Sequence, residues 1–335
     1  MTTTVAGPGS QSGASLDEAP DARERRVWRR WGLFVAIGVA LYLGLYGWSE
    51  YLVYAHGDQN RFFMIRTAPA QQYDFVILGA SHAMPLGFAD MNRRLEEAAG
   101  ATVINLSTEG AGILPNRLLL DYFLTRHAAG EVIFILDSFA FYSPQWNEDR
   151  LDAAMLQRAP LDPALVATLW RHDWARGAIP AYVSGFAKIN NGDRFAADIP
   201  EAEATKFDRT YRPIAQIDRQ RIGFLYPEAI DPAAFERYLG AFDSLIRYVR
   251  EQGMEMLVIK PPTPPRYRDR LPDEAAFDDA VGAVMERAEV DYYDLSEAMT
   301  DDPFFYDTDH LNRDGVTMFI DDHLGPLLSG RSAAE

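Results

Sequence analysis

The 335-residue chain carries 32 Lys and Arg against 49 Asp and Glu, and its net charge of −17 argues against a nucleic-acid partner, which would need a locally basic face. It has no cysteine, which excludes disulfides, thiolate catalysis and Cys-ligated metal sites. With 48% hydrophobic residues, the length suits one large α/β domain, or two small ones, plus a membrane segment.

Residues 1–22 are rich in Gly, Ser, Thr, Ala and Pro and lack the apolar surface to fold, so residues 1–30 are expected to form a disordered basic tail. Residues 31–49 then form an uncharged run whose length, at about 1.5 Å per residue, nearly matches a bilayer core of roughly 30 Å. A transmembrane helix over 31–50 follows. Trp28, Trp31, Trp48, Tyr51 and Tyr54 bracket the run, where amphipathic rings prefer the headgroup level. Arg23, Arg25, Arg26, Arg29 and Arg30 precede it, and no Lys or Arg follows until Arg61. The positive-inside rule therefore predicts a cytoplasmic N-terminus and a periplasmic or otherwise extracytoplasmic domain on an inner-membrane anchor. Without a small-residue cleavage site after the run, it reads as an uncleaved anchor.

After a linker over 51–72, short apolar runs alternate with amphipathic stretches. Strands are expected at 73–80, 102–107, 131–137, 254–260 and 290–296, with helices at 88–100, 116–127, 231–253 and 273–288. Five strands joined by crossover helices predict a flavodoxin-like, doubly wound parallel sheet over 73–330. The alternation fails between about 143 and 228, and this stretch reads as an insertion packed over one end of the sheet, a candidate for substrate recognition.

Two segments could carry chemistry. The first strand runs directly into Gly79-Ala80-Ser81-His82, and open α/β sheets bind ligands at the carboxyl ends of their strands. Far downstream, Asp307 stands three residues before His310, a spacing that lets the carboxylate hold the far ring nitrogen while the near one faces a nucleophile. Taken together, the two resemble the SGNH (GDSL-like) hydrolase and acyltransferase superfamily. Gly79-Ala80-Ser81 stands in the place of that family's G-D-S, Gly110 and Gly112 stand near its second-block glycine, and Asp307-x-x-His310-Leu311-Asn312-x-x-Gly315 matches its final block. The chain departs from the family at Ala80, where it has Asp, and in the absent G-x-N-D block, whose place is taken by Leu136-Asp137-Ser138-Phe139. With the N-terminal anchor, these departures look more like the membrane-anchored members that modify cell-surface polymers, as in alginate acetylation and teichoic-acid D-alanylation.

The resemblance implies acyl transfer through an acyl-Ser81 intermediate, with His310 as base then acid, Asp307 orienting it, and the backbone N–H groups of Ser81 and Gly110 as oxyanion hole. His82, Asp137, Asn312 and Lys260 are further candidate substrate-binding residues. The implied substrate is a cell-surface polysaccharide or an acyl donor, with a membrane-bound O-acyltransferase as partner and no metal or organic cofactor. The competing reading is a non-catalytic scaffold or glycan-binding subunit of a surface-polymer acylation complex.

Overall fold

The computed structural model describes residues 20–57, 60–151, 153–192 and 204–332. Residues 1–19 of the expected disordered tail therefore lie outside the described residues, while 20–30 are not disordered but open the helix that continues into the apolar run. The chain divides into two compact units, 1–48 and 49–335. In the first lies most of helix α1 (Pro20–His56), whose stretch Glu24–His56 is long and apolar enough to cross a membrane and holds an 18-residue window with a mean hydropathy of 1.6. Its side chains Trp28, Leu33, Phe34 and Leu41 are exposed, as a lipid-facing helix requires.

In the second unit, the described residues of the expected linker over 51–72 include helical segments. α1 continues to His56, and helix α2 (Arg61–Thr67) follows, capped by Asn60, whose side chain accepts from the Phe63 N–H. The reason is apolar spacing: Phe62 and Ile65 lie on one face and are fully buried, each such burial being worth about 1.5–3 kcal/mol.

A five-stranded, all-parallel sheet follows, built from β1 (Gln72–Leu78), β2 (Val103–Asn105), β3 (Ala128–Ile135), β4 (Glu255–Lys260) and β5 (Asp291–Asp294), in the order β2-β1-β3-β4-β5. Pairing runs Phe75 to Val103, Val76 to Val132, Ile133 to Leu257 and Val258 to Tyr292. Alternate residues enter two separate cores. Val76, Leu78, Val132, Phe134, Met256 and Val258 pack on one face, while Phe75, Ile77, Ile133, Ile135, Leu257 and Ile259 pack on the other. Both faces of β1, β3 and β4 being covered, these strands read as continuous apolar runs, which is why the sequence pattern found them.

Helices α3 (Met91–Ala99) and α4 (Ile113–Phe123) make the first crossovers, and helices Pro232–Glu251 and Glu274–Ala288 the later ones. Between β3 and helix Pro232–Glu251, the described residues hold short helices and no strand, among them Pro163–Arg171 and Ala215–Leu225. Strand order turns back at β1 and β3, and that is the crevice where doubly wound sheets bind ligands.

Candidate active site

β1 ends in a turn that glycine makes possible. Gly79 has φ +148°, and a Cβ there would lie 2.9 Å from the Ile135 carbonyl oxygen. Its N–H donates to the Asn116 side chain at 2.9 Å, and its carbonyl accepts from the Thr108 N–H at 3.2 Å. Ser81 and His82 follow in a tight turn closed by the Ala83 N–H on the Ala80 carbonyl and the Met84 N–H on the Ser81 carbonyl, both at 3.2 Å.

Asp307 and His310 come from a loop pinched shut by the Phe305–Leu311 bridge and by the Tyr306 N–H on the His310 carbonyl at 2.9 Å. The Asp307 carboxylate accepts from the His310 backbone N–H at 2.9 Å and from the Asp309 N–H at 3.1 Å, so it is fixed before it meets the ring. Both its oxygens then lie 2.9 Å from His310 Nδ1. A proton on Nδ1 donates to Asp307, which leaves Nε2 with its lone pair. The Tyr306 ring stacks on the imidazole at 5.4 Å and 8°. Burial would raise the Asp307 pKa, but the adjacent His310 holds it below the usual carboxylate range.

Ser81, Asp307 and His310 line one cavity of about 340 Å³, together with Gln220, Arg221 and Phe224 of helix Ala215–Leu225. Among the described residues Ser81 Oγ makes no hydrogen bond to His310. Instead, the Arg221 guanidinium faces His310 Nε2, with Nη2 at 3.5 Å, and its Nε lies 3.3 Å from Asp309 Oδ2. The Ser81 and Gly110 N–H groups donate to no partner among the described residues. Gly110 (φ +62°) sits in a loop buttressed by Trp146, whose ring a Cβ at that position would meet at 2.7 Å.

His82 belongs to a second arrangement beside the first. Its Nδ1–H donates to the Asp137 carboxylate, its Nε2 lies 3.3 Å from Asp309 Oδ2, and its ring lies 4.8 Å from that of His310. Burial disfavours its imidazolium, but the Asp137 and Asp309 carboxylates outweigh that and push its pKa up to about 10. Asp309 is wholly buried. That burial raises its pKa, yet Arg221, His310 and His82 hold it well below the usual carboxylate range.

Of the residues expected from the sequence, Ser81, Asp307 and His310 meet at the cavity, while His82 and Asp137 stand paired beside it. Asn312 and Lys260 are committed elsewhere. The Asn312 side chain caps helix Arg313–Phe319 by accepting from the Gly315 N–H at 2.9 Å and donates to the Pro303 carbonyl at 2.7 Å. Lys260 Nζ lies 2.8 Å from Glu274 and 2.6 Å from Asp278. Neither the pairing of His82 nor Arg221 stands out in the sequence as part of the site. A lone Asp at the end of β3 was the only signal for the first, and a helical spacing of Ile217, Arg221 and Phe224 the only signal for the second.

Among the described residues one group offers metal-ligand atoms: His82, Asp309 and His310, all within 4.8 Å of one another. Their ring nitrogens are held from behind by carboxylates, as metal-bound histidines are. The Arg221 guanidinium already stands against Asp309 and His310, however, so a fixed cation neutralises these donors and fits the space poorly for a metal ion.

No known family model and no curated protein matches the chain. Among solved structures it is similar to a protein assigned as an acylhydrolase from Bacteroides fragilis, with a TM-score of 0.42 and 10% identity over 81% of this chain and 96% of that one. It is also similar to an inhibitor-bound aryl esterase of M. smegmatis, with a TM-score of 0.36 and 12% identity over 79% of this chain and 99% of that one. A carbohydrate acetylesterase family member from Sinorhizobium meliloti gives a TM-score of 0.35 and 14% identity over 77% of this chain and 99% of that one.

Proposed function

We propose that the chain is a membrane-anchored serine acyltransferase or esterase that works on O-acyl groups of a cell-surface polysaccharide. The observation that carries this reading is the convergence of Ser81 and His310 on one cavity, with Asp307 held against Nδ1 so that Nε2 is left as the base. In the first step Ser81 Oγ bonds to the ester carbonyl carbon, its proton passes to His310 Nε2, and the carbonyl π pair moves onto oxygen. On collapse, the ester C–O bond breaks and His310 returns the proton to the leaving oxygen. Water or a glycan hydroxyl then repeats the sequence on acyl-Ser81, giving hydrolysis or transfer. The oxyanion lies against the Ser81 and Gly110 N–H groups, which have no other partner among the described residues.

The missing Ser81–His310 hydrogen bond is compatible with this chemistry, because such bonds are often long before substrate arrives. The polymer substrate and the extracytoplasmic location rest on the single apolar helix and on the arginines that precede it. A membrane-bound O-acyltransferase would supply the acyl group in a transfer reaction. The test is labelling of the full-length protein by a fluorophosphonate, which should modify wild type and spare Ser81→Ala.

A second reading draws on one observation, the Arg221 guanidinium standing at His310 Nε2 where the serine proton would go. On that reading the chain is a non-catalytic subunit of an acylation complex. Full polymer acylation in cells carrying Ser81→Ala, with loss on deletion of the whole protein, would favour it.

A further inference from the structure

The geometry points to Arg221 as a further donor, beside the Ser81 and Gly110 N–H groups, that takes up negative charge of the tetrahedral intermediate, an inference that rests on acyl transfer at Ser81. Arg221 reaches the site from helix Ala215–Leu225, not from a strand end, and its side chain remains 21% exposed at the cavity it shares with Ser81 and His310. It is held there, yet loosely. Nε lies 3.3 Å from Asp309 Oδ2 and Nη2 lies 3.5 Å from His310 Nε2, both beyond the roughly 2.7–2.9 Å of a strong charge-assisted bond. A guanidinium carries five N–H donors, and these two are the only hydrogen bonds its side chain makes among the described residues.

The charges decide what happens next. Before attack, Arg221 faces the lone pair of a neutral imidazole. As Ser81 Oγ bonds to the carbonyl carbon, its proton arrives on Nε2, and the imidazolium then repels the guanidinium. In the same step the carbonyl oxygen becomes an alkoxide within the same cavity. Both changes drive Arg221 from the ring to the oxyanion, so the contact is stronger in the transition state than in the ground state, which is what accelerates a reaction. Buried Asp309 holds Nε throughout and acts as the pivot. When the intermediate collapses, the alkoxide pair re-forms the carbonyl, the leaving oxygen takes the proton from Nε2, and Arg221 returns to the neutral ring.

The experiment compares wild type, Arg221→Met and Arg221→Lys as full-length proteins in detergent, using p-nitrophenyl acetate and its thionoester, in which sulfur replaces the carbonyl oxygen. Arg221→Met is expected to lower kcat by roughly 10²–10³-fold with KM nearly unchanged, and Arg221→Lys to recover part of the loss. Sulfur is a poor hydrogen-bond acceptor, so wild type should prefer the oxygen ester strongly and Arg221→Met should lose part of that preference, the Ser81 and Gly110 N–H groups keeping the rest. The preference is a ratio measured on one protein, so a partly unfolded variant does not distort it. An oxygen-over-sulfur preference equal in wild type and Arg221→Met overturns the role of Arg221, even if the rate falls. Fluorophosphonate labelling keeps the two readings apart: wild type that labels at Ser81 while the preference is unchanged sinks only this inference, whereas wild type that never labels sinks acyl transfer itself.

Discussion

Replacing Asp137 by Asn probes the charge of His82 directly. Burial alone would keep this imidazole neutral, but Asp137 on Nδ1 and Asp309 3.3 Å from Nε2 push its pKa up to about 10, from an ordinary 6.5. A histidine whose pKa is raised by folding contributes its full stabilisation below the unfolded value and loses it as pH rises through the folded one. The window here is therefore pH 6.5 to 10. At about 1.4 kcal/mol per pH unit, the stabilisation from charging His82 is at most about 5 kcal/mol. Asp137→Asn removes one of the two carboxylates and should cost about 3 kcal/mol at pH 6.5. The cost should shrink steadily toward pH 10, as wild type itself loses the proton. Urea unfolding of the full-length proteins, followed by tryptophan fluorescence at a series of pH values, gives this difference, and contributions from the N-terminal apolar helix cancel in it. A difference that stays constant from pH 6.5 to 10 would refute the assignment of a charged His82.

Asp307→Asn should keep an acceptor for the His310 backbone N–H but turn an amide NH2 toward Nδ1, lowering kcat by roughly 10²–10⁴-fold with little change in melting temperature, as read by ester turnover and calorimetry. Gly110→Ala places a Cβ 2.7 Å from the Trp146 ring at φ +62°, and should cost about 2–3 kcal/mol in denaturant unfolding and slow fluorophosphonate labelling of Ser81. Alkaline phosphatase fused after residue 335 should be active in cells. An inactive fusion at normal expression would reverse the predicted orientation.

The sheet was legible in the sequence because its central strands are buried on both faces, so runs such as Val76-Ile77-Leu78 and Val132-Ile133-Phe134-Ile135 carry an uninterrupted apolar signal. Asp307 and His310 were legible because their contact is local, made within a single turn of loop. The pairing of His82 with Asp137 was not, since it joins the ends of two strands 55 residues apart and exists only once β1 and β3 lie side by side. Arg221 was hidden for another reason. Its helix carries Ile217 and Phe224 exposed at 41% and 55%, so no clean division of apolar and polar faces marks it. Helix Arg61–Thr67, inside the stretch 51–72, was hidden because seven residues give too short a period to recognise, although Phe62 and Ile65 anchor it firmly.

The position of β1 inside an all-parallel sheet governs when the cavity can come into being. Parallel neighbours cannot be joined by a hairpin, so every pairing of β1, β3 and β4 waits for a long crossover to close. Ser81 leaves the first strand and His310 follows the last, more than 200 residues downstream, so their meeting is among the most non-local contacts in the chain. Such contacts bear their closure entropy before they return any energy, which makes them late. During refolding, helical signal should therefore recover well ahead of serine reactivity, and a chain still emerging from the ribosome should be unreactive until His310 is free.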